Sequence, residues 1–178
     1  KFRSAGLKSS GARPNLFEAT ITKAPVNGLT DAEFRLLCKI ASIPTSTIGV
    51  IEVPYFGRNV KIPGNRTFDN LSVTVINDED FKIRNAIEQW MNSLNSHQSN
   101  KSAITTAGQS GNLSGEMAIQ HFDRAGNAIS GAKWSFTNVY PVALGEIALD
   151  WGSNDTIEEF TIDFAYDYWT HGQNTPNL

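Results

Sequence analysis

The sequence has 178 residues, of which 40% are apolar and 19% charged, and a formal charge of −3. At ~150 residues per domain this excludes an array of modules, and the apolar fraction excludes a disordered chain. Residues 1–66 carry ten basic and four acidic side chains, whereas 67–178 carry five basic and fourteen acidic. A sequence-specific DNA reader needs clustered Lys and Arg to displace counterions, so the acidic later part argues against one.

Cys38 is the single cysteine and has no Cys or His companion at ligand spacing, so neither an internal disulfide nor a zinc module is expected, only a buried thiol. Sequons at Asn65, Asn70, Asn100, Asn112 and Asn154 follow from abundant Asn, Ser and Thr. No secretory apolar run follows Lys1, so no export signal is expected. The longest apolar stretch, Ile48 to Phe56, is broken by Glu52 and falls short of the ~20 residues a membrane helix needs, so the subunit is not expected to insert into a membrane.

In chain order, residues 1–13 are Ser/Gly-rich with Lys1, Arg3, Lys8 and Arg13, and read as a flexible basic arm. Asn15 to Thr22 and Glu33 to Ile40 read as strands separated by a Pro/Asn/Gly loop. Thr47 to Val53 and Asn59 to Ile62, bounded by prolines and Gly57, read as a long hairpin or flap. Leu71 to Ile76 alternates as a half-buried strand and ends at Asn77-Asp78-Glu79-Asp80. Those acids could suggest calcium, but no EF-hand glycine or terminal glutamate follows; an N-cap with first-turn carboxylates is the reading adopted. Ile83, Ile87, Trp90, Met91 and Leu94 then mark one amphipathic helix of about four turns.

His97 to Leu113 reads as a long polar loop. Glu116 to Phe122 and Ala128 to Phe136 flank Asp123 to Asn127 as a hairpin, and Val139 to Leu149 follows, broken by Pro141 and Gly145. The clearest strand alternates Phe160, Ile162, Phe164, Tyr166 and Tyr168 with Glu159, Asp163 and Asp167. The expected fold is mainly β (α+β): an antiparallel β-sandwich or barrel with one packed helix and an extended hairpin flap. It divides into a basic arm (1–13), a body (14–169) and a tail (170–178).

Catalytic templates fail on stated requirements. There is no GxSxG elbow, no GxxxxGK[ST] phosphate loop and no HExxH, and His97, His121 and His171 lie in unrelated contexts. Asp163 and Asp167 would share a strand face at ~13 Å, beyond the ~5–9.5 Å separation of glycosidase carboxylates. No catalytic, cofactor-binding or metal-binding residue is expected.

Several segments occur together in order. These are Ala12-Arg13-Pro14-Asn15-Leu16-Phe17, Gly64 to Asn70, Val73 to Glu79, Pro141 with Gly145-Glu146-Ile147-Ala148-Leu149-Asp150-Trp151, and Asp167-Tyr168-Trp169. The set, spanning about Ala12 to Trp169, resembles the tail tube proteins of contractile-tailed bacteriophages. The chain departs from that pattern at Ala24 to Ala32, Thr105 to Gly115 and Thr170 to Leu178, read as surface elaborations.

The resemblance implies a virion protein assembled in the host cytoplasm as a homohexamer, its rings stacked into the hollow tube through which DNA is ejected. It also implies as partners the tail sheath, baseplate and tail terminator proteins, with DNA passing through without specific binding. On that footing Glu159, Asp163 and Asp167 are candidates to influence the lumen, since an acidic wall does not trap a polyanion. Arg58, Lys61, Arg66 and Phe68 are candidates for contacts between stacked rings. Two other readings stand beside this one: the tube of a type VI secretion or other contractile injection system, and a monomeric carbohydrate-binding β-sandwich using its Trp and Tyr residues.

Overall fold

The computed structural model describes residues 11–26, 29, 31–102 and 113–172. Most of the basic arm, most of the Gly/Ser-rich loop and the end of the tail lie outside the described residues. The elements are β1 (Phe17–Lys23), α1 (Asp31–Leu37), β2 (Cys38–Ala41), β3 (Ser46–Tyr55), β4 (Arg58–Phe68), β5 (Leu71–Ile76), α2 (Lys82–Leu94), β6 (Gly115–Phe122), β7 (Ala128–Leu144), β8 (Glu159–Ala165) and β9 (Tyr168–His171). A seven-stranded sheet runs β1-β6-β7-β8-β5-β2 with β9 also on β7, and β3 and β4 form a separate two-stranded sheet. Every pairing is antiparallel. The end strands β1 and β2 come near one another, so the larger sheet curls as a barrel-like body, the expected class.

Alternation places the core. Leu71, Val73 and Val75 of β5 face Phe160, Ile162 and Phe164 of β8, all buried, and Ala19, Ile21, Met117, Ile119 and Phe136 continue the layer. Each large side chain so buried contributes ~1.5–3 kcal/mol. One face of α2 closes the body with Ile83, Ala86, Ile87 and Trp90. Trp90 lies 6.3 Å from the Phe164 ring, and its indole Nε1 donates to the Leu113 carbonyl at 2.7 Å. Beneath it Gly115 opens β6 where a Cβ would lie 2.4 Å from the Lys23 carbonyl oxygen and 2.8 Å from Trp90 Cη2.

Five details differ from the sequence reading. Glu33 to Ile40 is not one strand: residues to Leu37 form α1, whose Phe34 is buried, and the strand begins at Cys38. Glu, Phe, Arg and Leu tolerate a helix, and burial of Phe34 decides the matter. A second helix therefore joins the one expected. The acids at 78–80 precede α2 without capping it, since the cap residue is Phe81 in a left-handed conformation (φ 51°) with no side-chain cap bond. Pro141 does not break the chain: β7 runs 17 residues through it, past Val139, the last β7 partner of β6, and into β8 with a register shift between Pro141 and Ala143.

The aromatic strand ends at Ala165, and β9 turns back onto β7, so Asp163 and Asp167 are not four residues apart on one straight strand. Finally, the departures from the family pattern are not all surface: Ala24, Val26 and Leu29 pack against the core, and Thr170 and His171 belong to β9.

The β3–β4 flap joins the body through aromatic and polar contacts at its root. Phe68 lies 6.1 Å from the Tyr166 ring and 6.0 Å from Trp169, and Thr45 bonds the Asp69 carboxylate. Tyr166 donates its hydroxyl to the Asp69 carbonyl at 2.6 Å, and burial, with the Asp69 charge second, pushes its pKa up to about 12. The hydroxyl therefore keeps its proton across the physiological range.

Two outcomes are expected. Gly115→Ala overpacks the Trp90 site and lowers stability by ~1–3 kcal/mol, read as a fall in the urea midpoint at constant m-value. Tyr166→Phe costs ~1 kcal/mol and speeds amide exchange at 46–48 and 66–68, while the core of β5 and β8 keeps its protection.

Candidate assembly surfaces

The flap has a polar and an apolar face. Register pairs Ile51 with Ile62, Val53 with Val60 and Tyr55 with Arg58, and alternation brings these onto one side. The opposite side carries the Glu52–Lys61 and Pro54–Asn59 pairs and, nearer the root, Val50–Pro63, with the Asn59 amide donating to Glu52 at 2.9 Å and Lys61 3.8 Å from the same carboxylate. All ten residues of β3 are exposed, so the apolar side is uncovered. Near the root a register shift between Ile48 and Val50 kinks the hairpin where Gly49 and Gly64 face each other closely.

A two-residue turn, Phe56-Gly57, with φ 45° and 77°, closes the tip. Both values are positive, the conformation that suits a hairpin's twist and favours Asn or Asp followed by Gly. A phenylalanine there is disfavoured by its Cβ, typically by ~1–2 kcal/mol. Phe56 is nonetheless 91% exposed and stacks only edge-on against Tyr55, with centroids 4.8 Å apart. No contact among the described residues accounts for it.

The four candidate contact residues thus occupy different places. Arg58 sits on the apolar side beside the tip, Lys61 lies on the polar side bound to Glu52, and Arg66 lies beyond the kink opposite Ile48. Phe68 is anchored at the root by Tyr166 and Trp169.

The three acidic candidates also separate. On β8, Glu159 and Asp163 alternate with the buried Phe160, Ile162 and Phe164, and so lie on the outer face. Glu159 pairs with Lys39 at 2.5 Å. Asp163 stands between Ser72 of β5 and Ala143 of β7, and its carboxylate has no hydrogen-bond or ion-pair partner among the described residues. Asp167, at the corner before β9, accepts a bond from the Asn138 amide at 2.5 Å. Around Asp163 the outer face is made of small or polar side chains, including Ser72, Thr74 and Thr161.

A second exposed region escaped the sequence reading. The connection from β7 to β8 is pinned at both ends: the Gly145 amide donates to Thr161 O at 2.7 Å, and the Asn77 amide to Glu158 O at 2.8 Å. Arg84 reinforces the first end by donating to the Gly145 carbonyl at 3.0 Å. Between these pins Asp150 turns the chain by accepting from the Gly152 amide at 2.9 Å, and leaves Trp151 fully exposed and Leu149 81% exposed. A groove of about 510 Å³ runs along this loop, with Leu149, Trp151 and Ile157 on its walls, and a second of about 320 Å³ shares Ile157 and Glu158 with it. Residues 145–159 hold five acidic and no basic side chains. A DW pair in a Gly-bounded loop between strands was the available signal; its reading as a motif alone hid its exposure.

Comparison with known proteins identifies the family and the fold. Residues 12–172 match the family described as phage tail tube protein. The chain is 30% identical over 158 residues to tail tube protein gp19 of Enterobacteria phage T4, covering 89% of this chain and 90% of that one. It is 27% identical over 170 residues to the tail tube protein of Serratia phage KSP90, covering 93% and 92%. Among solved structures, a chain of the sheath–tube complex of the PVC extracellular contractile injection system in its extended state shares the fold at a TM-score of 0.61, with 17% identity over 94% of this chain and 95% of that one. The chain belongs to the phage tail tube protein family.

Proposed function

We propose that this chain is the repeating subunit of the inner tube of a contractile phage tail, hexameric rings of it stacking into a conduit for DNA. The observation that carries the stacking is the flap: a hairpin with an uncovered apolar face, anchored to a body that needs nothing further to close its core. A lone two-stranded hairpin is marginal in water, and an exposed apolar patch of this kind marks an interface. The partner that suits it is another copy, since a subunit carrying both a projecting face and a receiving surface propagates head to tail. Family membership supports a role without catalysis. Solved neighbours of this fold come from a contractile baseplate, a tube-terminating cap and a sheath–tube complex, which supports a baseplate, a terminator and a sheath as partners here.

In this reading the outer face of β8 lines the lumen, with Asp163 as its unpaired charge and Glu159 and Asp167 held by Lys39 and Asn138. Small polar side chains with a negative charge offer DNA neither stacking platforms nor phosphate partners. Arg58, Lys61, Arg66 and Phe68, with the basic arm, serve the contact between rings, Phe68 by fixing the angle of the flap. The family and the curated relatives favour this over a carbohydrate-binding module, and favour a phage tail over a secretion tube.

Electron microscopy of the purified protein over a concentration series is expected to show hollow six-fold tubes or rings; a persistent monomer, even with baseplate nuclei added, would overturn the reading. Lys61→Glu with Arg66→Glu is expected to raise the concentration needed for tubes about tenfold, equivalent to ~1.4 kcal/mol. Asp163→Lys tubes are expected to assemble yet retain DNA in a salt-dependent way on a filter, where unaltered tubes let it pass.

A further inference from the structure

We infer that the acidic-rimmed groove of the 145–159 loop is the receptor for the flap of a neighbouring copy, with Phe56 seated against Trp151. This rests on the tube reading above and specifies which surface of the next subunit the flap meets.

Three independent observations converge on the pair. The first is apolar character: the flap offers Phe56 and the Tyr55 face with no cover, and the loop offers Leu149, Trp151 and Ile157 with none. Aromatic anchors entering a preformed groove are the usual centre of a tight protein contact, and a groove of about 510 Å³ is ample for a phenyl ring and part of its neighbour.

The second is charge. The flap, 46–68, carries Arg58, Lys61 and Arg66 against Glu52 alone, while 145–158 carries four carboxylates and no cation of its own, Glu159 beyond it being paired with Lys39, and Asp78 and Glu79 extend the same rim along the adjoining groove. Opposite potentials of this kind steer encounter and fix orientation. The flap's own ion pair uses Lys61 and Glu52, which leaves Arg58, beside the tip, as the cation facing outward with the apolar side.

The third is backbone conformation at both surfaces. Phe56 holds a left-handed φ of 45° that its side chain disfavours, with only the edge-on contact to the neighbouring Tyr55 in return among the described residues. A bulky residue kept in such a place points to a use outside the chain. The receiving loop is the converse, an irregular segment tied to the body through Gly145 and Asn77 and turned at Asp150, although nothing described covers it. A prepared groove lowers the ordering cost of binding. Knob and groove lie on different elements of one chain, so each copy can present its flap to one neighbour and its groove to another.

The test is site-directed cross-linking in assembled tubes. Phe56→Cys chains and Trp151→Cys chains are mixed, allowed to assemble, and treated with a short bismaleimide. Cys38 remains in both; burial pushes its thiol up to about 12, which disfavours the reactive thiolate, and each chain treated alone reads any cross-link through it. A covalent dimer is expected from the mixture and not from either chain alone, at least tenfold above a control mixture in which Arg124→Cys replaces Trp151→Cys.

Tubes that form from the mixture without this dimer, or with equal yield from the Arg124 control, would overturn the assignment and leave the tube reading intact. Failure of the unaltered chain to form tubes would overturn both. Hydrogen exchange on the unaltered protein reads the same contact should either variant assemble poorly: amides of 50–62 and of 147–158 are expected to gain protection together on assembly. Protection of one segment without the other would overturn the pairing.

Discussion

β7 is the constraint on which the body depends. It pairs directly with β6, β8 and β9, while β1 and β5 are each one strand away. Its first part lies in one limb of the sheet and its last part in the other, with Pro141 placed where β6 no longer pairs and the register to β8 shifts. A long strand that changes partners in this way bends the sheet around Phe136, Val139 and Phe164 and makes a place for α2. Trp90 then fills that place, and Gly115 is small because Trp90 is large.

Body and flap stand in different energetic conditions. The body buries a complete core within the chain and leaves only surface residues such as Leu36 and those of the 145–159 loop exposed, so it can fold before it meets a partner. The flap satisfies only its backbone pairing, and holds its place through Phe68, Tyr166 and Asp69 at the root. That division suits a subunit that must stay separate until assembly begins: the exposed apolar face is a narrow ribbon rather than a broad patch, and its flanking charges oppose indiscriminate association.

The strands with strict alternation were legible in the sequence because their periodicity is set by burial on one side: β5 has the boundaries read for it, and β6, the start of β7 and β8 lie where expected. The stripe of α2 was legible for the same reason. What was not legible depended on tertiary context. Phe34 makes α1 a helix by being buried, a fact no local pattern of Glu33 to Ile40 contains. Asp78 to Asp80 have the composition of a helix start, but Phe81 takes the cap position.

The candidate surfaces were read in the same partial way. The charge on the flap was visible, but its division into a polar side with Glu52–Lys61 and an apolar side needed the register. The exposure of Trp151 needed the loop's anchors. A tryptophan between strands is ordinarily core, and only the structure distinguishes the two.

The flap is also a ruler. Ten residues of β3 at ~3.4 Å each give an arm of about 34 Å. Because side chains alternate, length and facing are coupled. Removing one residue from each strand shortens the arm by ~3.4 Å but turns its apolar ribbon to the opposite side relative to the root, whereas removing two shortens it by ~7 Å and preserves the side. Changes in the axial spacing of an assembly built on such arms are therefore quantised: lengths that differ by an even number of residues per strand can work with the same receptor, and odd ones cannot.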